Sequence, residues 1–315
     1  MKSFYIGVDI GGTNLKIGLF DSELKLIDFK TYALNKRVIP QDVVLIIKNS
    51  FESLSKKYNI KSLACGLPGL IDYKRGRIYS LTNLPNWNNL DLQKILKAAI
   101  GIPVSIDNDV NLAALAEYRL GSGKGCSNML MVALGTGVGG GLILNGDIYR
   151  GSDNATAEVG HIQLNPKGPR CSCGNRGCLE SYIGNKRLLS YLKKNLKNKK
   201  SILNKIDLTE LKLEDVAHAA LSGDRFSIEF WNYVASKLAQ ALVGVVNILN
   251  LDKIVIGGGI SNAGESLLRP LRSYIKEQAM DIQAKSVKIV GARYKDRSGI
   301  IGAGLLAKCN FKKGD

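Results

Sequence analysis

Two stretches of this 315-residue chain repeat one pattern, and that repeat restricts the possible fold more than any other feature. Val8-Asp9-Ile10-Gly11-Gly12-Thr13 lies near the start, and Val132-Ala133-Leu134-Gly135-Thr136-Gly137 recurs in mid-sequence. Each is an apolar, β-branched run that breaks into glycine and threonine and then resumes as a second strand. Lys16-Ile17-Gly18-Leu19-Phe20 follows the first, and Gly140-Gly141-Leu142-Ile143-Leu144 follows the second. Glycine turns the backbone sharply and lets it approach an anion closely. Threonine adds a hydroxyl donor, and successive N–H groups form an anion-binding concavity. Two such hairpins, one per half of the chain, imply a polyphosphate clamped between two related lobes.

The length allows two domains that each bury a core. No apolar run is long enough to span a bilayer, and no basic-apolar-small pattern marks a signal peptide. Phe4 to Val8 already reads as a buried strand, so the expected location is the cytoplasm, with no membrane partner. Six cysteines are too few and too uneven for a secreted disulfide scaffold. Lys+Arg 44 against Asp+Glu 27 gives a net charge of +17, which suits either nucleic acid or polyanionic substrates. The densest basic stretch, Lys186 to Lys205, has leucines 188, 189, 192, 196 and 203 interleaved at roughly helical spacing. That pattern predicts a solvated helix face, and no aromatic interleaving supports a nucleic-acid partner.

Strands dominate the first third: a hairpin from Tyr5 to Phe20, a turn at Asp21-Ser22, and a third strand from Leu24 to Tyr32. Helical spacing covers Gln41 to Lys57 and Leu90 to Ala99, and buried strands are expected at Ser62 to Gly66 and Val104 to Ile106. Val110 to Tyr118 reads as an Ala-rich helix with Asn108 or Asp109 near its cap. The second half repeats this order and ends on a strand at Lys253 to Ile256, followed by glycines. Strands alternating with helices make the class α/β. Gly135-x-Gly137-x-x-Gly140 also fits a dinucleotide fingerprint, but that motif needs a helix after it, whereas Leu142-Ile143-Leu144-Asn145-Gly146 is a strand and hairpin turn.

His161, Cys171, Cys173 and Cys178 make a Cys₃His set suited to structural zinc, wrapped by a loop rich in glycine and proline. The alternative is a group of reduced surface cysteines. His218 reads as an ordinary helix residue, and Cys65, Cys126 and Cys309 as buried thiols.

With these motifs in this order, the chain resembles the ROK family (repressors, open reading frames, kinases) of the actin-like sugar kinase superfamily, over essentially its whole length. Asp9-Ile10-Gly11-Gly12-Thr13-Asn14 resembles the first phosphate motif, and Leu134 to Gly141 the second. Lys253 to Ser261, with Gly257-Gly258-Gly259, is similar to the adenosine motif. Glu158-Val159-Gly160-His161 and Cys171-Ser172-Cys173-Gly174-Asn175-Arg176-Gly177-Cys178-Leu179-Glu180 resemble two further signatures of the family.

The resemblance implies two RNase-H-like lobes around a central cleft: a smaller one over 1–115 plus 298–315, and a larger one over 116–297 carrying the zinc loop. It implies ATP-dependent phosphorylation of a hexose at its 6-hydroxyl. Glucose is the first expectation; N-acetylmannosamine, N-acetylglucosamine and fructose are alternatives, as is polyphosphate as donor. Asp109 matches the catalytic base, although capping the following helix is an equally ordinary role for it. Asn83, Asn108, Asp109, Glu158, His161 and Glu180 match the sugar-binding set. Asp9, Gly11, Gly12, Thr13, Asn14, Lys16, Gly135, Thr136, Gly137, Gly257, Gly258 and Gly259 match the nucleotide and phosphate set, with Asp9 holding Mg²⁺ through water. The expected assembly is a homodimer without nucleic acid. The rival class, a sugar-responsive transcriptional regulator, carries a helix-turn-helix before the first phosphate hairpin, and here that hairpin begins at about residue 4. Ala157 departs from the family's usual glycine before Glu158, which bears on the identity of the hexose.

Overall fold

The computed structural model describes residues 2–35, 38–81, 84–197 and 199–313. The chain divides into two units, the first comprising Met1–Arg119, Ile148–Thr156 and Arg297–Asp315, the second Leu120–Asp147 and Ala157–Asp296. Residues 148–156, expected within the larger lobe, therefore group with the first unit.

In the first unit, β1 (Ser3–Ile10), β2 (Asn14–Phe20) and β3 (Leu26–Ala33) form an antiparallel meander. The third strand starts later than expected because Leu24 takes a positive φ of 64° in a turn. The Asp21 carboxylate holds that turn by accepting the N–H groups of Glu23 and Lys25. After α1 (Pro40–Ser55), β4 (Asn59–Leu67) returns parallel to β1. A small ribbon of β5 (Gly69–Asp72) and β6 (Arg77–Leu81) follows, a feature the apolar periodicity does not reveal. Then come α2 (Leu92–Ile100), β7 (Val104–Asn108) parallel to β4, and α3 (Asp109–Leu120). The sheet order is β3-β2-β1-β4-β7. Ile6, Val8, Ile10, Leu15, Ile17, Leu63, Leu92, Leu96 and Trp87 fill its core. The C-terminal helix, Ser298–Lys313, packs against β1 and β4, where Ser62 donates a hydrogen bond to the Ala307 carbonyl.

The second unit repeats this wiring. Strands β8 (Met129–Leu134) and β9 (Val138–Leu144) are antiparallel, and the sheet order continues past β9 to β10 (Asp147–Tyr149), of which only Asp147 belongs to this unit. A long connection carries α4 (Glu180–Ile183), α5 (Asn185–Leu196), α6 (Leu213–Leu221) and α7 (Arg225–Leu249). The chain then enters β11 (Lys253–Gly257), α8 (Glu265–Gln278), α9 (Asp281–Ser286) and β12 (Lys288–Gly291). Both β11 and β12 run parallel to β8, in the order β10-β9-β8-β11-β12. Each unit thus has an antiparallel meander continued by two parallel strands, which is the RNase-H-like, actin-type topology. On α5, Leu188, Leu192 and Leu196 are buried while Lys186 and Lys194 are exposed, so the basic stretch there is a solvated face. Cys65 is buried, but Cys126 is only half-buried and donates to the Gly123 carbonyl. Cys309 is exposed, because it lies on the outer face of the C-terminal helix. Thus two of the three thiols expected to be buried are not. His218 lies exposed on α6. Among the described residues no helix is long and apolar enough to cross a membrane.

Candidate active site

In the first unit, the turn between β1 and β2 closes with the Gly11 N–H donating to the Asn14 carbonyl at 2.8 Å, which leaves Thr13 and Asn14 exposed at its tip. Asp9 and Lys16 face each other across the ladder, and their charged groups lie 3.6 Å apart. A β-carbon at Gly299 would sit 3.4 Å from an Asp9 carboxylate oxygen, so Asp9 lies against the first turn of the C-terminal helix. The dipole of that helix favours an anion at its N-terminus.

Strand β7 delivers Asp107-Asn108-Asp109 to the start of α3. The cap of that helix is Asn108: its side-chain oxygen accepts the N–H groups of Val110 and Asn111 at 2.9 and 3.0 Å. Its amide donates to the Gly69 carbonyl at 3.1 Å, which leaves one amide hydrogen for a ligand. Asp109 shares the Val110 donor, its own carboxylate accepting that N–H at 2.9 Å. Burial and the nearby Asp9 charge push its carboxyl up to about 7. Such a group exchanges a proton close to neutrality, which suits a general base.

Asp107 is only 2% exposed and would be a costly buried charge without partners. It accepts from the Asn108 N–H, the Asn111 amide and the Arg150 guanidinium, and that guanidinium stacks 3.9 Å over the Tyr73 ring. Arg150 carries no motif and was missed from sequence. Its only trace there is a lone arginine beside Gly151. Asn83, expected among the sugar contacts, lies outside the described residues.

In the second unit, the hairpin turn closes with the Gly135 N–H donating to the Gly137 carbonyl at 2.9 Å. A β-carbon at Gly140 would collide with the Ala157 carbonyl oxygen, and one at Gly160 with the Val138 carbonyl oxygen. These two glycines let β9 and the Glu158–His161 turn press backbone to backbone. Ala157 has a φ of 64°, a left-handed conformation that costs a side chain energy. Gly258 has a φ of 79° and lies against the backbone of Leu134, where no side chain fits. Its position brings Gly259 and Ile260 beside Gly135 and Thr136 on the wall of a cavity of about 330 Å³. Leu189, Leu211 and Leu213 supply apolar surface there, and Lys212 and Glu214 supply polar groups. Gly137 and Gly257 do not line this cavity, and the leucine wall was also missed from sequence.

His161, Cys171, Cys173 and Cys178 converge, with all four ligand atoms within 4.8 Å of one another. The His161 Nδ1 lies 3.6 Å from the Cys171 sulfur, and the Cys173 and Cys178 sulfurs are 3.7 Å apart. That is far beyond a disulfide bond of about 2 Å. It matches the edge of a tetrahedron of about 3.3–3.8 Å that results when nitrogen and sulfur bind a central ion at about 2.0–2.3 Å. The other ring nitrogen of His161 lies 3.9 Å from the exposed Glu158 carboxylate. Glu180, at the start of α4, accepts the Val138 N–H at 3.0 Å and the Ser172 hydroxyl at 2.9 Å.

Two units of one actin-type topology, one bearing a base-like carboxylate and the other an apolar cavity beside a glycine-rich turn, define a member of the actin-like phosphotransferase class. A family model described as the ROK family matches residues 5–310, and the chain belongs to that family. A glucokinase of Halalkalibacterium halodurans is 33% identical over 317 residues, covering 97% of this chain and 95% of the relative. The crystal structure of a ROK family glucokinase from Streptomyces griseus in complex with glucose and AMPPNP matches with a TM-score of 0.83 and 28% identity. It covers 97% of this chain and 99% of that one. A ROK family transcriptional regulator matches with a TM-score of 0.91 and 26% identity, covering 99% of this chain and 79% of the regulator.

Proposed function

We propose that this protein is an ATP-dependent hexose kinase that phosphorylates the 6-hydroxyl of glucose. The observation that carries this reading is the Asp109 carboxyl, delivered by β7 to the start of α3 and raised to about 7 by burial and the nearby Asp9. In phosphoryl transfer the protein mainly orients the nucleophile and accepts its proton. Asp109 would take the proton of the sugar 6-hydroxyl, and the first-unit hairpin, Gly11-Gly12-Thr13, would bind the transferred phosphate through backbone N–H groups. Lys16 and Asn14 flank that turn. A glucokinase identity of 33% over 97% of the chain supports glucose as the sugar.

Sugar hydroxyls need directional donors and acceptors; in the first unit Asn108 offers them, and in the second Glu158, the outer nitrogen of His161 and the remaining lone pairs of Glu180 do. The cavity beside Gly135-Thr136 suits a nucleoside: leucine surface for the base, backbone at Gly258-Gly259 for the ribose, and the Gly135–Gly137 turn for the remaining phosphates. Two carboxylates in mutual repulsion fit a hard divalent cation held near Asp9 through water, and Mg²⁺ bound there supplies neutralising charge to the phosphate oxygens. The Cys₃His set fits structural Zn²⁺, which would close the 161–178 loop and fix the His161 ring. A homodimer, tested by sedimentation, completes the proposal.

The deciding experiment is an ATP-coupled assay against glucose, N-acetylmannosamine, N-acetylglucosamine and fructose, with a polyphosphate arm as alternative donor. Glucose turnover with ATP at the highest kcat/KM is expected, and another preferred sugar would reassign the substrate. The regulator match favours one further reading, a sugar-responsive repressor. No turnover of any sugar, with a mobility shift on duplex DNA at physiological salt, would replace the kinase by that reading.

A further inference from the structure

Building on the assignment of Gly135-Thr136-Gly137 as the nucleotide's phosphate turn, we propose that Glu180 is a positioning residue for that turn. Through Ser172, it ties nucleotide affinity to the order of the cysteine loop.

The turn is held at both ends by one corner of the chain. At its entrance the Gly135 carbonyl accepts the Asn185 N–H at 3.0 Å. At its exit the Val138 N–H donates to one Glu180 carboxylate oxygen at 3.0 Å. Glu180 and Asn185 belong to the same α4–α5 corner, closed by the Gly184 N–H donating to the Glu180 carbonyl at 2.9 Å. Gly137 makes room for this arrangement, since a β-carbon there would collide with the Glu180 carboxylate.

The same corner hangs from the cysteine loop. The second Glu180 oxygen accepts the Ser172 hydroxyl at 2.9 Å and lies 4.0 Å from the Cys171 sulfur. The Cys178 carbonyl accepts both the N–H and the hydroxyl of Ser181, at 2.9 and 2.7 Å. Ser172, next to Cys171 of the proposed metal set, and the carbonyl of Cys178 therefore hold the carboxylate and its helix, and their loop fixes the direction in which it points. A loop that loses its metal frees Ser172 and lets the carboxylate swing away from Val138. The turn then loses the acceptor that sets its exit, and phosphate meets a looser ring of N–H groups. A hydrogen bond to an ionised acceptor is among the stronger single contacts in a protein.

The test is calorimetric titration of the full-length, zinc-loaded protein with ADP, without sugar, alongside metal analysis of every sample. Glu180→Ala should weaken ADP binding by roughly tenfold. Glu180→Gln should recover most of that loss, because an amide oxygen still accepts the Val138 N–H. Ser172→Ala, at an exposed position, should weaken ADP about threefold while zinc content stays unchanged. Stripping the metal should weaken ADP binding to the wild type but add nothing to the Glu180→Ala variant. ADP affinities within twofold of wild type in both alanine variants, zinc retained, would overturn the proposal. So would a metal effect undiminished in Glu180→Ala. Failure of the wild-type protein to bind ADP at all would instead bring down the nucleotide assignment on which the proposal rests.

Discussion

The two hairpins occupy the same place in the same sheet order, yet one register position shows how far they have diverged. In the first, the second cross-strand pair from the turn is Asp9 and Lys16; in the second it is Ala133 and Gly139. Around the first hairpin stand Asp109, the start of the C-terminal helix and the Asp107–Arg150 pair. Around the second stand glycines in backbone contact, a leucine-walled cavity and a carboxylate already occupied by two donors. One topology has thus been built twice, with paired charges beside the first turn and close backbone packing beside the second. Substitutions should divide accordingly, with losses of turnover in the first unit and losses of affinity in the second.

The largest expected effect breaks or confirms that division directly. Asp109→Asn keeps the size of the side chain but cannot accept a proton, so kcat should fall by roughly 10²-fold or more with sugar affinity nearly intact. Wild-type kcat/KM should fall as pH drops below about 7. Stability gives an independent check. The folded carboxyl is raised from 3.8 to about 7, so its stabilising contribution is full below 3.8 and is lost as pH rises through about 7. In magnesium-free buffer the Asn variant should therefore gain on wild type between pH 4 and pH 8, by on the order of 2–4 kcal/mol in denaturant melts. A flat difference would mean that Asp109 is not held in this state.

Next in size are changes at the second hairpin. Nothing lies within 4 Å of a β-carbon at Gly135, so Gly135→Val should fold normally and lose nucleotide affinity by roughly tenfold or more, because its side chain fills the space meant for phosphate. Unchanged ADP binding there would remove the turn from the nucleotide site. Gly258→Ala should instead lower the melting temperature sharply, since both its positive φ and the Leu134 backbone oppose a side chain. Metal analysis should find one zinc per chain, and strong chelation should lower the melting temperature through the second unit. A zinc-free preparation with full activity and an unchanged melt would sink the metal assignment. The smallest expected effect is at Ala157, where glycine should stabilise the protein by about 0.5–1 kcal/mol by relieving a left-handed alanine. Lys200→Ala, on a solvated stretch, should change neither binding nor stability.

What could be read from sequence follows the same division. Local signals disclosed the strands, the two turns, the cysteine loop and Asp109, because each is written in neighbouring residues with a fixed spacing. Arg150 could not be found that way, since its meaning depends on Asp107 and Tyr73, which precede it by 43 and 77 positions. The wall formed by Leu211 and Leu213 looks like any amphipathic stretch until the fold turns it toward Gly135 and Thr136. Asn108 and Asp109 were both candidates for the cap; both accept the Val110 N–H, and only Asn108 also accepts that of Asn111. The departure at Ala157 is visible in sequence, but its physical meaning is a left-handed φ of 64°, a matter of backbone geometry.

The C-terminal helix has a consequence for how the molecule is made. Residues 298–313 pack on the strands of the first unit, and Ala307 joins Tyr5 and Ala64 in a buried cluster there. A ribosome releases those residues only after the entire second unit, so the part of the protein that starts first is finished last. Until then, the sheet carrying Asp9 waits with one apolar flank uncovered, while the second unit has all the chain it needs to close. Translation therefore delivers the whole second unit before the first is complete, and an interrupted message would yield a chain whose second unit can close while the first still lacks its last helix.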